Sequence, residues 1–237
     1  MKILDEKRLS VVTAIILCAL IIGVAIVCFL PSKVVYISGG EAYEPIYHGD
    51  KQSSKIALTF NVYENAEVVE GILNELDSRG AKATFFIGGC WADDNLSVVK
   101  KIIENGHEIG SHGYFHKDHS KLSEEQNLAE MKLLHDLIKN ELGYELKLFA
   151  PPSGSFSVET LKVAENLGYK TVLWSKDTID WRDKNQKVVY NRATKGISGG
   201  DIVLMHPKEH TLKALPEILE FYKQKGLTVT TVSECIG

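Results

Sequence analysis

The chain has 237 residues, 44% of them apolar and 24% charged, with a formal net charge of −4. That is the profile of one ordinary globular domain with a short appendage, large enough to bury a core. The 27 lysines and arginines are scattered and are outnumbered by 31 acidic residues, which excludes the basic footprint of a nucleic-acid-binding protein.

The appendage comes first. Residues 11–30, VVTAIILCALIIGVAIVCFL, carry no charge. About 20 helical residues at about 1.5 Å each span a hydrocarbon layer of about 30 Å, so this stretch predicts a transmembrane helix. No small-residue cleavage pattern follows in Phe29, Leu30, Pro31 and Ser32, so an uncleaved signal anchor is expected rather than a removable signal peptide. Lys2, Lys7 and Arg8 precede the segment and only Lys33 closely follows it. The positive-inside rule then makes residues 1–10 a cytoplasmic tail and sends the rest outside, as a single-pass membrane protein. Two of the four cysteines, Cys18 and Cys28, fall in that segment, leaving Cys90 and Cys235. An outside compartment permits a disulfide only where the Cα atoms approach within about 7 Å, and two unpaired, buried thiols are expected.

Residues 31–54 mix polar and small residues without a helical period and read as a linker or edge ribbon. From residue 55 to 237, short β-rich runs alternate with amphipathic ones: IALTF, AEVVEGILNELDSRG, AKATFFIGG, NLSVVKKIIENG, then the short strand HEIG. A long helix follows in SEEQNLAEMKLLHDLIKNELG, where Ser123 and Gln126 predict a capping box and Gly143 a C-cap. The alternation resumes with KLFAPP, VETLKVAENLG and YKTVLW, and closes with GDIVLMHP, TLKALPEILEFYKQKG and LTVTTVSE. Repeated β/α units imply a mainly parallel sheet, open or closed into a barrel, with its chemistry at the C-terminal ends of the strands. A phosphate-binding loop is not present, since GGCWADD lacks both glycine-rich arrangements.

Those strand ends hold the reactive side chains. His112 and His116, four apart in SHGYFH, can supply two ligands to one cation but not a complete site; surface or capping histidines are the plain alternative. Asp180, in KDTIDW, and His206, in IVLMHP, form an acid–base pair if they are neighbours, the carboxylate fixing the imidazole tautomer; read separately, they are a turn residue and a strand-end residue. In APPSGSF, Pro151 and Pro152 stiffen a loop that Gly154 lets turn, so that the Ser153 N–H can serve as an oxyanion donor, or the loop simply precedes a helix. Trp181 and Phe156 offer sugar-stacking surfaces.

ALTF, ATFFIGG, ENGHEIGSHGYFH, KLFAPPSGSF, LWSKDTIDW and GDIVLMH, in this order over roughly residues 55–235, resemble the polysaccharide deacetylase family, or NodB-homology domain, and most closely its sporulation-associated subgroup. The resemblance implies a distorted (β/α) barrel of about seven strands and removal of acetyl groups from N-acetylated sugars of peptidoglycan or related polymers. Cell-wall glycan is the implied partner; no protein partner is implied. It assigns His112 and His116 to a divalent, zinc-like metal, His206 to the general acid, Asp180 to its tuning carboxylate, and Ser153 to the oxyanion hole. The family's first motif usually reads TFDDG, with a base and a third metal ligand; here TFNVY puts Asn61 and Val62 at those positions, and Ala150 stands for an orienting Arg. An amide cannot take a proton from water at neutral pH and valine binds no metal, so the ligand set is incomplete. The resemblance therefore implies either a weakened or altered hydrolase of the acetamide C–N bond, or an inactive member that binds or scaffolds glycan. Glu64, Asp118 and His119 are the nearby groups that could substitute for what is missing.

Overall fold

The structure is a computed structural model describing residues 43–237. The segment 11–30, read as a membrane span, lies outside these residues, as do Cys18 and Cys28. Among the described residues no helix is long and apolar enough to cross a membrane.

β1 (Lys55–Val62) is buried at every position after the first. Such a near-continuous apolar run, rather than alternation, marks a parallel strand covered on both faces. β2 (Thr84–Ile87), β3 (Glu108–Ser111), β4 (Leu148–Phe149) and β5 (Lys170–Thr171) extend the sheet on one side of it; β7 (Ile202–Met205) and β6 (Lys176–Asp177) extend it on the other. The order is β5-β4-β3-β2-β1-β7-β6, with β8 (Thr228–Thr230) also pairing with β1, and all named pairs are parallel. Seven strands lie along the main path, the number implied by the resemblance.

Helices pack around this sheet: α1 (Ala66–Ser78), α2 (Gly89–Asp94), α3 (Leu96–Glu104), α4 (Glu124–Leu142), α5 (Val158–Asn166), α6 (Gln186–Thr194), α7 (Glu209–Gln224) and α8 (Val232–Ile236). α1 turns Val68, Val69, Ile72, Leu73 and Leu76 inward, the spacing of one helical face, and each buried aliphatic stabilises the fold by about 1.5–3 kcal/mol of transfer free energy. α4 starts at the expected capping box of Ser123 and Gln126 and ends at Gly143, whose φ of 65° needs no Cβ penalty.

The described part of the 31–54 stretch is an edge ribbon docked on the sheet. Ile46 donates to Thr171 O (2.8 Å) and accepts from Leu173 N (2.8 Å), while Gly49 N donates to Gly200 O (2.7 Å). Bridges Ile46–Val172 and His48–Asp201 thus link the segment just after β5 with the start of β7. A Cβ on Gly199 would lie 1.6 Å from the Ser53 carbonyl oxygen, so the ribbon's close approach depends on that glycine. Cys235 is buried and unpaired; Cys90 is unpaired too, but exposed, where two buried thiols were expected. The difference follows from its place on the outer face of α2, whose inward side is taken by Trp91 and Ala92.

Candidate active site

The C-terminal ends of the strands surround a cleft of about 280 Å³ lined by Asn61, Tyr63, His112, His116, Ser153, Trp174, Asp177, Trp181, Leu204 and His206. Six of the lining residues were singled out from the sequence; Tyr63, Trp174, Asp177 and Leu204 were not. Phe156 is not among the lining residues.

On one side, β3 delivers the histidine pair. His112, buried, follows the strand directly and its Nδ1 donates to the Ala150 carbonyl at 2.7 Å. That bond fixes the tautomer, leaving Nε2 as the bare nitrogen. Burial, then the neighbouring His116, push its pKa down to about 3, so the ring is neutral at ordinary pH. The chain turns back through Gly113, where a Cβ would stand 2.9 Å from His119 Nε2. Glu130 of α4 pins the turn by accepting from Tyr114 N (2.9 Å) and Phe115 N (2.8 Å). His116 then sits at φ 55°, and its ring centroid lies 5.1 Å from that of His112. Its pKa is lowered as well, mainly by burial.

The opposite side carries the Asp180–His206 pair. Asp180 is fully buried after β6 and accepts from His206 Nδ1 (2.7 Å), His206 N (2.7 Å) and Thr211 Oγ1 (2.7 Å). Burial pushes this carboxyl up, but the bonds and charge of His206 together with the Thr211 bond outweigh it, and its pKa lies below the ordinary carboxylate value. With Nδ1 committed to Asp180, His206 presents Nε2 to the cleft that it lines.

Backbone strain gathers here. Of the four non-glycine residues with positive φ among those described, His116 and Ser153 line the cleft and Ile179 lies between Asp177 and Asp180. A β-branched residue at φ 51° is a genuine outlier, held by its own N–H donating to Asp177 Oδ1 at 2.8 Å. Ser153 stands at the rim in the left-handed conformation, in the short turn Pro152–Gly154.

At the end of β1, Asn61 faces the cleft, whereas Val62 is completely buried in the hydrophobic core and Ala150 is buried beside Leu148 and Val172. Of the nearby groups that could have substituted, Glu64 and Asp118 are paired with other side chains, and His119 is buried and does not line the cleft. Glu64 pairs with Lys208. Asp118 accepts from Ser155 Oγ (2.6 Å) and pairs with Lys121 (2.9 Å). His119 is buried with Nδ1 against Asn127 Oδ1 at 2.7 Å. Tyr63 packs on the histidines, its ring centroid 4.4 Å from His116 and 6.4 Å from His112. The signals for the residues that sequence reasoning passed over lay inside motifs already noticed: Tyr63 ends TFNVY, and Trp174 and Asp177 sit in LWSKDTIDW.

Comparison with known proteins agrees with this architecture. The polysaccharide deacetylase family model matches residues 48–172. An uncharacterized Bacillus subtilis protein, YlxY, is 37% identical over 191 residues, covering 81% of this chain. This chain spans 60% of that relative's length. A peptidoglycan-N-acetylmuramic acid deacetylase of Bacillus subtilis is 30% identical, with 82% of this chain and 76% of the relative covered. The crystal structure of a CE4 family pseudoenzyme from Bacillus anthracis superposes with a TM-score of 0.80 at 34% identity, covering 83% of this chain and 70% of that one.

Proposed function

Because this chain belongs to the polysaccharide deacetylase family, we propose that its cleft receives an N-acetylated sugar of a peptidoglycan-type cell-wall glycan and hydrolyses the acetamide C–N bond at a much reduced rate. The observation that carries the reading is the assembled Asp180–His206 pair facing the histidine turn across one cleft.

In this reading water adds to the acetamide carbonyl and gives up its proton to solvent, the C–N bond breaks, and His206 Nε2 donates a proton to the departing amine. Asp180 positions the imidazole and stabilises the cation that forms when it holds the proton. Ser153 offers its backbone N–H to the developing oxyanion, and the Trp181 ring stacks on a sugar face. Asn61 hydrogen-bonds the acetamide or the attacking water but cannot take its proton. Lack of a general base lowers the rate by about 10²–10⁴-fold.

Deacetylases of this family are metal-dependent. A catalytic zinc site takes three protein ligands and a water. His112 and His116 supply two nitrogens, but Val62 has no donor atom, and among the described residues no group of three His, Cys, Asp or Glu side chains is arranged to hold a metal. The residues present do not complete the set, and no step is assigned to a metal.

A second reading, a glycan-binding member without turnover, is favoured by the same two residues, Asn61 and Val62, and by the likeness to a pseudoenzyme. The division into a tail (1–10), a single-pass anchor (11–30), a ribbon (31–54) and an extracytoplasmic domain (55–237) belongs to the proposal, supported by the uncharged run and its charge asymmetry.

Incubation of the full chain with N-acetylglucosamine oligomers or peptidoglycan, with zinc or cobalt, separates the readings by released acetate and bound glycan. Slow release that vanishes in His206→Ala supports the weakened hydrolase. Glycan binding without acetate supports the binder, and neither binding nor release rejects both.

A further inference from the structure

Apart from its histidines and Tyr63, the one ionisable side chain lining the cleft is the carboxyl group of Asp177, and no lysine or arginine lines it. Asp177 sits on β6 opposite Leu204 of β7; its Oδ1 accepts from Ile179 N at 2.8 Å, and among the described residues nothing donates to its Oδ2. The cations nearest the rim are paired with other carboxylates, although Arg182 also lies over the Trp181 ring, 5.9 Å from its centroid, and feels the charge of Asp177 after that of Asp183, which leaves Tyr63 and Trp174 as the open aromatic faces. Lys208 pairs with Glu64, Arg182 with Asp183 at 3.0 Å, and Arg192 with Asp183 at 2.6 Å and the Thr178 carbonyl at 3.0 Å. Three aromatic side chains, Tyr63, Trp174 and Trp181, share the lining with Asp177.

A carboxylate with a spare oxygen among π faces is the chemistry that holds an ammonium group, by a charge-assisted hydrogen bond and by cation–π attraction. An acetamide, which is neutral, draws on neither. Resting on the reading of the cleft as a glycan site, we infer that it prefers the free-amine form of a hexosamine unit, the de-N-acetylated sugar, over the N-acetylated form. Asp177 is the discriminating residue, and the Tyr63 ring, packed on the His112–His116 pair where the family motif has glycine, adds an aromatic face. The site would then recognise glycan whose acetyl groups have been removed, by this chain or by an amide-hydrolysing enzyme acting before it.

The test is calorimetric titration of the full chain with glucosamine oligomers and with N-acetylglucosamine oligomers of equal length. The amine oligomer is expected to bind about tenfold more tightly or better, the scale of a single charge-assisted contact. Asp177→Asn keeps an acceptor for Ile179 N and should bring the ratio of the two affinities to about one. Rising salt should shrink the ratio in the unaltered chain, a measurement that needs no variant. Equal or tighter binding of the acetylated oligomer would overturn this inference while leaving the glycan reading standing, as would a preference for the amine that survives Asp177→Asn. Binding of neither oligomer would remove the glycan reading itself.

Discussion

The two sides of the cleft are built to different standards. On the β6–β7 side, Asp180 is fully buried and accepts three hydrogen bonds, each of 2.7 Å, from His206 and Thr211. On the β1 side, where the family places two carboxylates, Asn61 has no carboxylate to offer and Val62 is packed into the core. A buried charge is retained only where its partners satisfy it, so the first side is a connected unit that stands or falls together. The second has become ordinary strand: Val62 pairs with Ile87 in the β1–β2 register and buries its side chain like its neighbours. The Asp180–His206 side thus stands complete beside a β1 side that offers no carboxylate.

The sharpest way to break this contrast is Asp180→Ala, which leaves the His206 N–H, its Nδ1 and the Thr211 hydroxyl without their acceptor. We expect a loss of about 3 kcal/mol, measured by denaturant unfolding, together with loss of any His206-dependent acetate release. Little change in unfolding free energy would mean that the pair is not the buried unit described.

Acid titration sharpens the contrast next. Because its pKa is lowered, Asp180 contributes stability that is full above the ordinary carboxylate value of 3.8 and is lost as the pH falls through that value towards the lower folded one. His107 differs: burial above all depresses it from 6.5 to about 4, so the unfolded chain takes up its proton first. Stability is full above pH 6.5 and falls as the pH drops towards 4. His112, depressed to about 3, acts with the same sign. Equilibrium unfolding of His107→Gln should show a shallower loss over that window; an unchanged slope would place the acid sensitivity elsewhere. The smallest effect is expected of Thr211→Val, which removes one of three bonds to Asp180: about 1 kcal/mol in unfolding free energy.

Much of this architecture was legible in the sequence because its signals were strong and local. The apolar run of β1, the Ser123–Gln126 capping box with Gly143, and the strand-end placement of His112 and His206 each rest on short-range chemistry. α6 was passed over: its nine residues, QKVVYNRAT, bury only Val189, Ala193 and Thr194, too few to set a clear period, although Asn185 caps it by accepting from Val188 N at 3.2 Å. β4 and β5 contain two residues each, shorter than the runs KLFAPP and YKTVLW suggested, and β6, also of two residues, lies in KDTIDW, where no separate strand was expected. Asp177 and Trp174 escaped notice because their role depends on a cleft formed by strands distant in sequence, and Tyr63 because its ring meets histidines some fifty residues on.

Zinc binding tests the central claim, that the acid half of the site is assembled while the metal and base half is missing. Calorimetric titration should find weak or no binding in the unaltered full chain, and Asn61→Asp with Val62→Asp should raise the affinity at least about tenfold by completing the ligand set around His112 and His116. Tight zinc binding by the unaltered chain, or no gain in the double variant when circular dichroism shows it folded, would contradict the account.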